Sequence, residues 1–176
     1  MPKIRIISPG ESKLAKVMFM KGNIKSNGPI YDFSKLKVDY FDEFRLRESD
    51  LRLASSTLIN SGSGRGGKNG HYHVDRKEIF VAIDAEFLLF LSNLGDKKEI
   101  IYFNTRPPKH EKHFRFPVLY IPEGIAHYVY NHTGQRQCLD VLSKVSEKDS
   151  EQTTYAHDAV EMSIDRVVKA FYASRR

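Results

Sequence analysis

A chain of 176 residues, 40% apolar and 28% charged, is long enough to bury a core and short enough to be one domain. No apolar run approaches the ~20 residues that span a bilayer, Met1-Pro2-Lys3-Ile4-Arg5 lacks the apolar stretch of a secretory signal, and a single cysteine, Cys138, excludes an intrachain disulfide and suits the cytoplasm. A net charge of +6, with no basic helical stripe, admits an anionic ligand and gives no nucleic-acid signature.

In chain order, residues 3–7 and 17–20 read as short strands, stopped by Ser8-Pro9-Gly10 and Lys21-Gly22-Asn23. Ser26-Asn27-Gly28-Pro29 marks a loop over 24–35. Tyr40, Phe41 and Phe44 fit a strand pair or a helix, and partial alternation at 38–41 and 44–47 favours strands. Residues 51–59 alternate as a further strand. The segment 61–70 is half glycine. It has neither the spacing of a phosphate loop nor a helix after it, so it reads as a flexible loop that delivers His71, with Arg65 and Lys68 placed to meet a ligand anion.

His71-Tyr72-His73-Val74-Asp75-Arg76-Lys77-Glu78 follows. Side chains two apart on a strand share a face, so His71 and His73 point one way and Tyr72 the other. Glu78 falls out of phase. The polar 74–77 segment predicts a turn or bulge that resets it, and a hairpin-like return would bring Glu78 beside the histidines. Strands are expected at 79–83, 86–92 and 98–103, with Asn93-Leu94-Gly95-Asp96 as the turn between the last two. Residues 104–115 read as a basic, solvated loop, in which His110 and His113 find no further ligand nearby.

A strand at 118–121 leads into Pro122-Glu123-Gly124-Ile125-Ala126-His127-Tyr128-Val129-Tyr130-Asn131. Pro122 and Gly124 predict a tight turn, after which His127, Val129 and Asn131 share a face. A strand over 138–143 follows Gly134. Asp140 shares a face with Cys138 and Leu142; it is a buried base if that face lines the interior and a solvated carboxylate if it does not. His132 is the other candidate for acid–base work. Asp158-Ala159-Val160-Glu161 resembles a capping box, and Val160, Ile164, Val167, Val168 and Phe171 recur at helical spacing. A helix over 157–176 should pack that stripe on the body of the protein or on a partner subunit.

His71, His73, Glu78 and His127 offer three imidazoles and one carboxylate, a donor set for one divalent metal ion. Their spacing, H-x-H-x(4)-E followed by P-x-G-x(2)-H-x(3)-N, resembles the paired motifs of the cupin superfamily over residues 60–155. Two turn glycines of the family pattern are replaced, near Ala85 and Phe116. The resemblance implies an all-β, double-stranded β-helix (a jelly-roll barrel) in a single domain. Residues 1–59 would supply N-terminal strands, 60–156 the barrel core and 157–176 the helix. It also implies metal ligation by His71, His73, Glu78 and His127.

More narrowly, N-G-H-Y-H-V-D-R-K-E-I-F, I-P-E-G-I-A-H-Y-V-Y-N-H-T-G and T-T-Y at 153–155 resemble the cupin domains of bacterial nucleotide-sugar epimerases and reductases for capsular polysaccharide. They also resemble the wider group of deoxysugar epimerases and ketoisomerases. That likeness implies proton abstraction beside the ketone of a small anionic sugar derivative, reprotonation elsewhere, and a homodimer. The donor set does not choose among Zn, Mn, Fe, Co and Ni. It serves an iron-dependent dioxygenase of a small molecule as well, and a non-catalytic sugar- or metabolite-binding module is the third reading.

Overall fold

The computed structural model describes residues 4–33, 36, 51–144, 154–160 and 162–175. The strands expected over 38–47 lie outside these, as does Glu161 of the expected capping box.

Among the described residues thirteen strands and one α-helix follow in order: β1 (Ile6–Ile7), β2 (Lys16–Lys25), β3 (Gly28–Asp32), β4 (Leu51–Ile59), β5 (Gly64–Arg65), β6 (His71–His73), β7 (Glu78–Val81), β8 (Glu86–Ser92), β9 (Lys98–Asn104), β10 (His113–Ile121), β11 (Ala126–Tyr130), β12 (Gln137–Lys144), β13 (Thr154–Ala156) and α1 (Ile164–Ala173). The first sheet runs β1-β9-β8-β11-β6-β13, with β5 also paired to β11; the second runs β3-β2-β10-β7-β12-β4. Only the β1–β9 pairing among them is parallel.

Two-residue alternation decides what each sheet turns inward. On β9, Ile101 and Phe103 face the interior and Ile100 and Tyr102 face out; on β10, Leu119 and Ile121 face in and Val118 and Tyr120 face out. Phe80, Phe87, Leu89, Ile101, Leu119 and Leu139 fill the space between the sheets and are fully buried. Each such side chain contributes roughly 1.5–3 kcal/mol through burial, so this interior, and no single polar contact, holds the sheets together. The outer face of the second sheet is apolar too: Met20, Ile79, Val81, Phe116 and Val118 cluster there, with the rings of Tyr31 and Phe33 set edge-on to Phe116 at 4.9 and 5.3 Å. The outer face of the first sheet, through Leu88, Phe90, Ala126 and Tyr128, packs against Val167 and Phe171 of α1.

Several expectations change. β2 continues through Gly22 to Lys25 and turns at Ser26-Asn27 into β3, so the expected loop is a two-residue hairpin. β10 begins at His113, which shortens the basic loop. β2 and β4 pair with β10 and β12, so the N-terminal strands are part of the barrel wall. The helix starts at Ile164, after Ser163, and not at the Asp158 box. Asp158 instead accepts from the Val160 N–H at 2.9 Å and from Asn69 Nδ2 at 3.3 Å, closing a local turn and tethering the glycine-rich loop. Of the expected stripe, Val160, Val167 and Phe171 are buried. No helix among the described residues is long and apolar enough to cross a membrane.

Candidate metal centre

β6 and β11 are antiparallel neighbours, and His71 stands directly opposite His127, with ring centroids 4.4 Å apart. His73, two residues along β6, has its ring 4.9 Å from that of His71. Tyr72 points to the other face, where it stacks on Tyr155 at 5.4 Å, as alternation requires. The 74–77 segment does not make a hairpin. β6 belongs to the first sheet and β7 to the second, so the segment carries the chain across the barrel. Glu78 therefore reaches the histidines from the opposite wall, where it is paired with Ile121 and Ser143. The second-motif turn is tied to the same place: Gly124, at φ 72°, donates its N–H to the His73 carbonyl at 2.7 Å.

Glu78 Oε1 lies 3.5 Å from His73 Nε2, and Oε2 lies 3.0 Å from His127 Nε2. Donor atoms of all four residues fall within 4.8 Å of one another. Ligands at about 2.0–2.2 Å from one ion stand about 3–4 Å apart, so a small contraction closes the shell.

The chemistry of the donors fits a cation. His127 Nδ1 is 3.2 Å from the Ile125 carbonyl, which can only accept, so the hydrogen belongs on Nδ1 and the Nε2 lone pair faces Glu78. His73 Nδ1 is similarly held by Thr154 Oγ1 at 3.0 Å. His73 Nε2, His127 Nε2 and Glu78 Oε2 are buried with no hydrogen bond, despite the close approach of the last two. A lone pair set against a carboxylate oxygen is repulsive until a proton or a metal ion comes between them. Burial alone would raise the Glu78 pKa, but when a proton sits on Nε2 of His127 or His73 the hydrogen bonds they donate, His127 first, outweigh it and hold the carboxyl well below the usual range. His71 is pushed down to about 4, first by burial and then by the repulsion that a protonated His127 or His73 would exert on it. It is half-buried while the other three are buried, so the cluster opens to solvent on the His71 side.

Of the two basic candidates, Arg65 reaches this interior and donates to Ser55 Oγ at 2.9 Å; Lys68 stays exposed on its loop. Neither acid–base candidate is brought to the cluster. Asp140 lies on the face of β12 opposite Leu139 and Val141, beside Cys138 Sγ at 3.8 Å, because those two apolar residues take the interior. His132 sits under α1, 4.7 Å from the Phe171 ring and 3.1 Å from the Tyr172 hydroxyl. Asn131 is fully buried in a structural role: it donates to the Ile59 and Gln135 carbonyls and accepts from Thr133 and Gln137. Thr154, Ser143 and Ser55 were not legible as site residues, since only long-range pairing places them here. A groove of about 370 Å³ between Phe19, Arg115, Tyr102, Phe171 and Arg175 lies elsewhere and includes none of the four donors.

Two facing sheets wound as a double-stranded β-helix, with an imidazole–carboxylate cluster inside, define a cupin-type jelly roll. No family model and no curated protein matches the chain. Solved structures do. ChmJ, a 3′-monoepimerase from Streptomyces bikiniensis in complex with dTDP-quinovose, matches with a TM-score of 0.61 at 12% identity, over 85% of this chain and 72% of that one. The RmlC epimerase of Mycobacterium tuberculosis gives 0.58 at 12% identity, over 83% and 70%. QdtA, a sugar 3,4-ketoisomerase from Thermoanaerobacterium thermosaccharolyticum in complex with TDP, gives 0.56 at 12% identity, over 92% and 97%. At these identities the likeness is one of fold.

Proposed function

We propose that the chain is a single-domain, cytoplasmic isomerase or epimerase of a nucleotide-linked keto sugar, that it holds one divalent metal ion on His71, His73, Glu78 and His127, and that it works as a homodimer. The observation that carries this reading is the four-donor cluster, unpartnered at its centre and open at one side, in a barrel of the fold used by sugar epimerases and ketoisomerases. A divalent ion bound there would polarise a carbonyl or hydroxyl oxygen of the sugar. The protein's own part is to hold that centre in a dry place. Phe80 packs edge-on to the His127 ring at 5.3 Å, and Val129 and Val141 are buried in the same interior, so charge developing near the cluster is poorly screened by water. Thr154 and the Ile125 carbonyl fix the rings of His73 and His127 so that both present Nε2 inward.

The test is exchange of solvent deuterium into TDP-4-keto-6-deoxyglucose, the ligand in another structure of the Thermoanaerobacterium ketoisomerase. Metal-loaded protein should label carbon next to the ketone, and His127→Ala should not. Binding without labelling, across a range of keto-sugar nucleotides, would replace this reading with that of a binding module. Oxygen consumption by iron-loaded protein without labelling would replace it with that of a dioxygenase.

A further inference from the structure

The groove of about 370 Å³ has a chemistry of its own. It lies where β1 and β9, at the edge of the first sheet, meet β2 and β10 of the second, and the end of α1 closes one side. Arg115 stands six residues before Ile121 on β10, and Ile121 is the residue opposite Glu78. At ~3.4 Å per residue the groove is therefore about 20 Å from the metal centre along that strand. Arg175 lays its guanidinium on two rings of the groove, 4.0 Å from the centre of Tyr102 and 4.4 Å from that of Phe171, and its Nη1 donates to the Tyr102 hydroxyl at 3.2 Å. The carboxylate behind Tyr102, Glu86, accepts from that hydroxyl and is paired with Arg106 at 2.6 Å. Arg115 sits 5.5 Å over the ring of Phe19, which is 42% exposed.

These contacts leave positive charge unmet. Asp32, Lys21 and Arg115 form one row across β3, β2 and β10, so the carboxylate of the row lies beyond Lys21 and Arg115 faces a like charge. Among the described residues neither Arg115 nor Arg175 forms an ion pair, and none that lines the groove is acidic. A guanidinium stacked on a ring uses its flat face. Its N–H edge stays free, and that edge matches the oxygens of a phosphate. Asn104 adds to this: its Oδ1 accepts from the Arg106 N–H at 2.9 Å, so the group it offers the groove is the Nδ2 donor. Phe19 supplies an exposed flat platform beside the charge. A bare inorganic anion would use the two cations and leave the ring idle, whereas a phosphate attached to a nucleobase uses both. The volume falls within that of small-molecule sites, roughly 300–1,000 Å³.

We propose that this groove is a second ligand site and that its ligand is a nucleoside phosphate, with the phosphate held by the N–H edges of Arg115 and Arg175 and the base laid on Phe19. The inference does not rest on the function proposed above, because none of the four metal donors takes part in it. Arg175 follows α1 and Arg115 belongs to β10, so a bound phosphate ties the helix to the second sheet. The ligand therefore stabilises the folded chain as it binds.

The experiment is calorimetric titration of the purified protein, before and after chelator treatment, with ADP, UDP, adenosine and pyrophosphate. At least one nucleotide should bind, with the same affinity in both preparations. Adenosine and pyrophosphate each carry half of the recognised chemistry and should bind more weakly. Arg115→Gln and Arg175→Gln should each weaken nucleotide binding by about tenfold or more, as expected for a lost charge-assisted hydrogen bond. Phe19→Ala should weaken the nucleotide and leave pyrophosphate unchanged. Thermal unfolding separates ligand from fold. Arg115→Gln removes a charge that faces Lys21, so without ligand it should be as stable as wild type, and it carries the test even where Arg175→Gln loosens the helix. Nucleotide should raise the Tm of wild type more than that of Arg115→Gln. No binding of either nucleotide at millimolar concentration, or binding unchanged in both arginine variants, would overturn the inference. Binding that disappears with the metal would overturn it by placing the nucleotide at the metal centre. Pyrophosphate as tight as the nucleotides, with Phe19→Ala without effect, would overturn it in favour of a site for inorganic phosphate.

Discussion

Glu78 Oε2 and His127 Nε2 face each other at 3.0 Å from opposite walls of the barrel, and neither makes a hydrogen bond. The Ile125 carbonyl takes the ring hydrogen of His127 at Nδ1, so the facing atoms are a lone pair and a carboxylate. Glu78→Gln tests what this contact is for. The amide keeps the shape, loses the charge and can donate to Nε2. Metal-free Glu78→Gln should be as stable as wild type or more so, while metal affinity falls by at least about tenfold, as it does when outer contacts of metal ligands are lost. Competition with a chromophoric chelator and a denaturant melt provide both readings. Unchanged affinity would mean that Glu78 is not a ligand.

Thr154 acts one step further out. Its hydroxyl, 3.0 Å from His73 Nδ1, sets which nitrogen turns inward. Thr154→Val is nearly isosteric and removes that hydroxyl. Metal affinity should drop about 10–100-fold, with the β6–β13 pairing intact. The same competition assay, with circular dichroism as a control, checks it; full affinity in the variant would show that His73 needs no such support.

Acid should weaken the metal-free protein in a defined window. An unfolded histidine titrates near 6.5, whereas folded His71 is pushed down to about 4 by burial and by the repulsion its two neighbours would exert when protonated. Between those values the unfolded chain binds a proton that the folded chain does not. The stability tied to His71 is thus complete above pH 6.5 and is lost as pH falls toward 4. Glu78, held well below the carboxylate range, extends the loss to lower pH. Denaturant midpoints of chelator-treated protein should fall across this window, and less steeply in His71→Gln. Equal profiles for the two would refute the assignment.

What the sequence reveals follows the range of the physics involved. His71 and His73 share a face because a strand repeats every two residues, and that is local. The inward β8 and β9 residues are legible for the same reason. Glu78 joins them through a crossing between sheets, which no local rule specifies; the residues imply a reset of phase, and only the motif spacing implies its result. Arg65 reads as a basic residue in a glycine-rich loop, but its place inside depends on β5 pairing with β11. Asp140 is ambiguous in the sequence because Cys138, Asp140 and Leu142 offer no clear apolar face, whereas Leu139 and Val141 claim the core. The Asp158 box has the composition of a helix start, yet Asp158 satisfies the Val160 N–H in a turn and the helix waits for Ser163.

The most direct measurement is the metal content of the purified protein and of His73→Ala, by elemental analysis with circular dichroism alongside. The account predicts about one divalent ion per chain in wild type and nearly none in a variant that keeps its β-sheet spectrum. Equal metal content in the two proteins, or none in wild type even after incubation with Zn, Mn, Fe, Co and Ni, would contradict it.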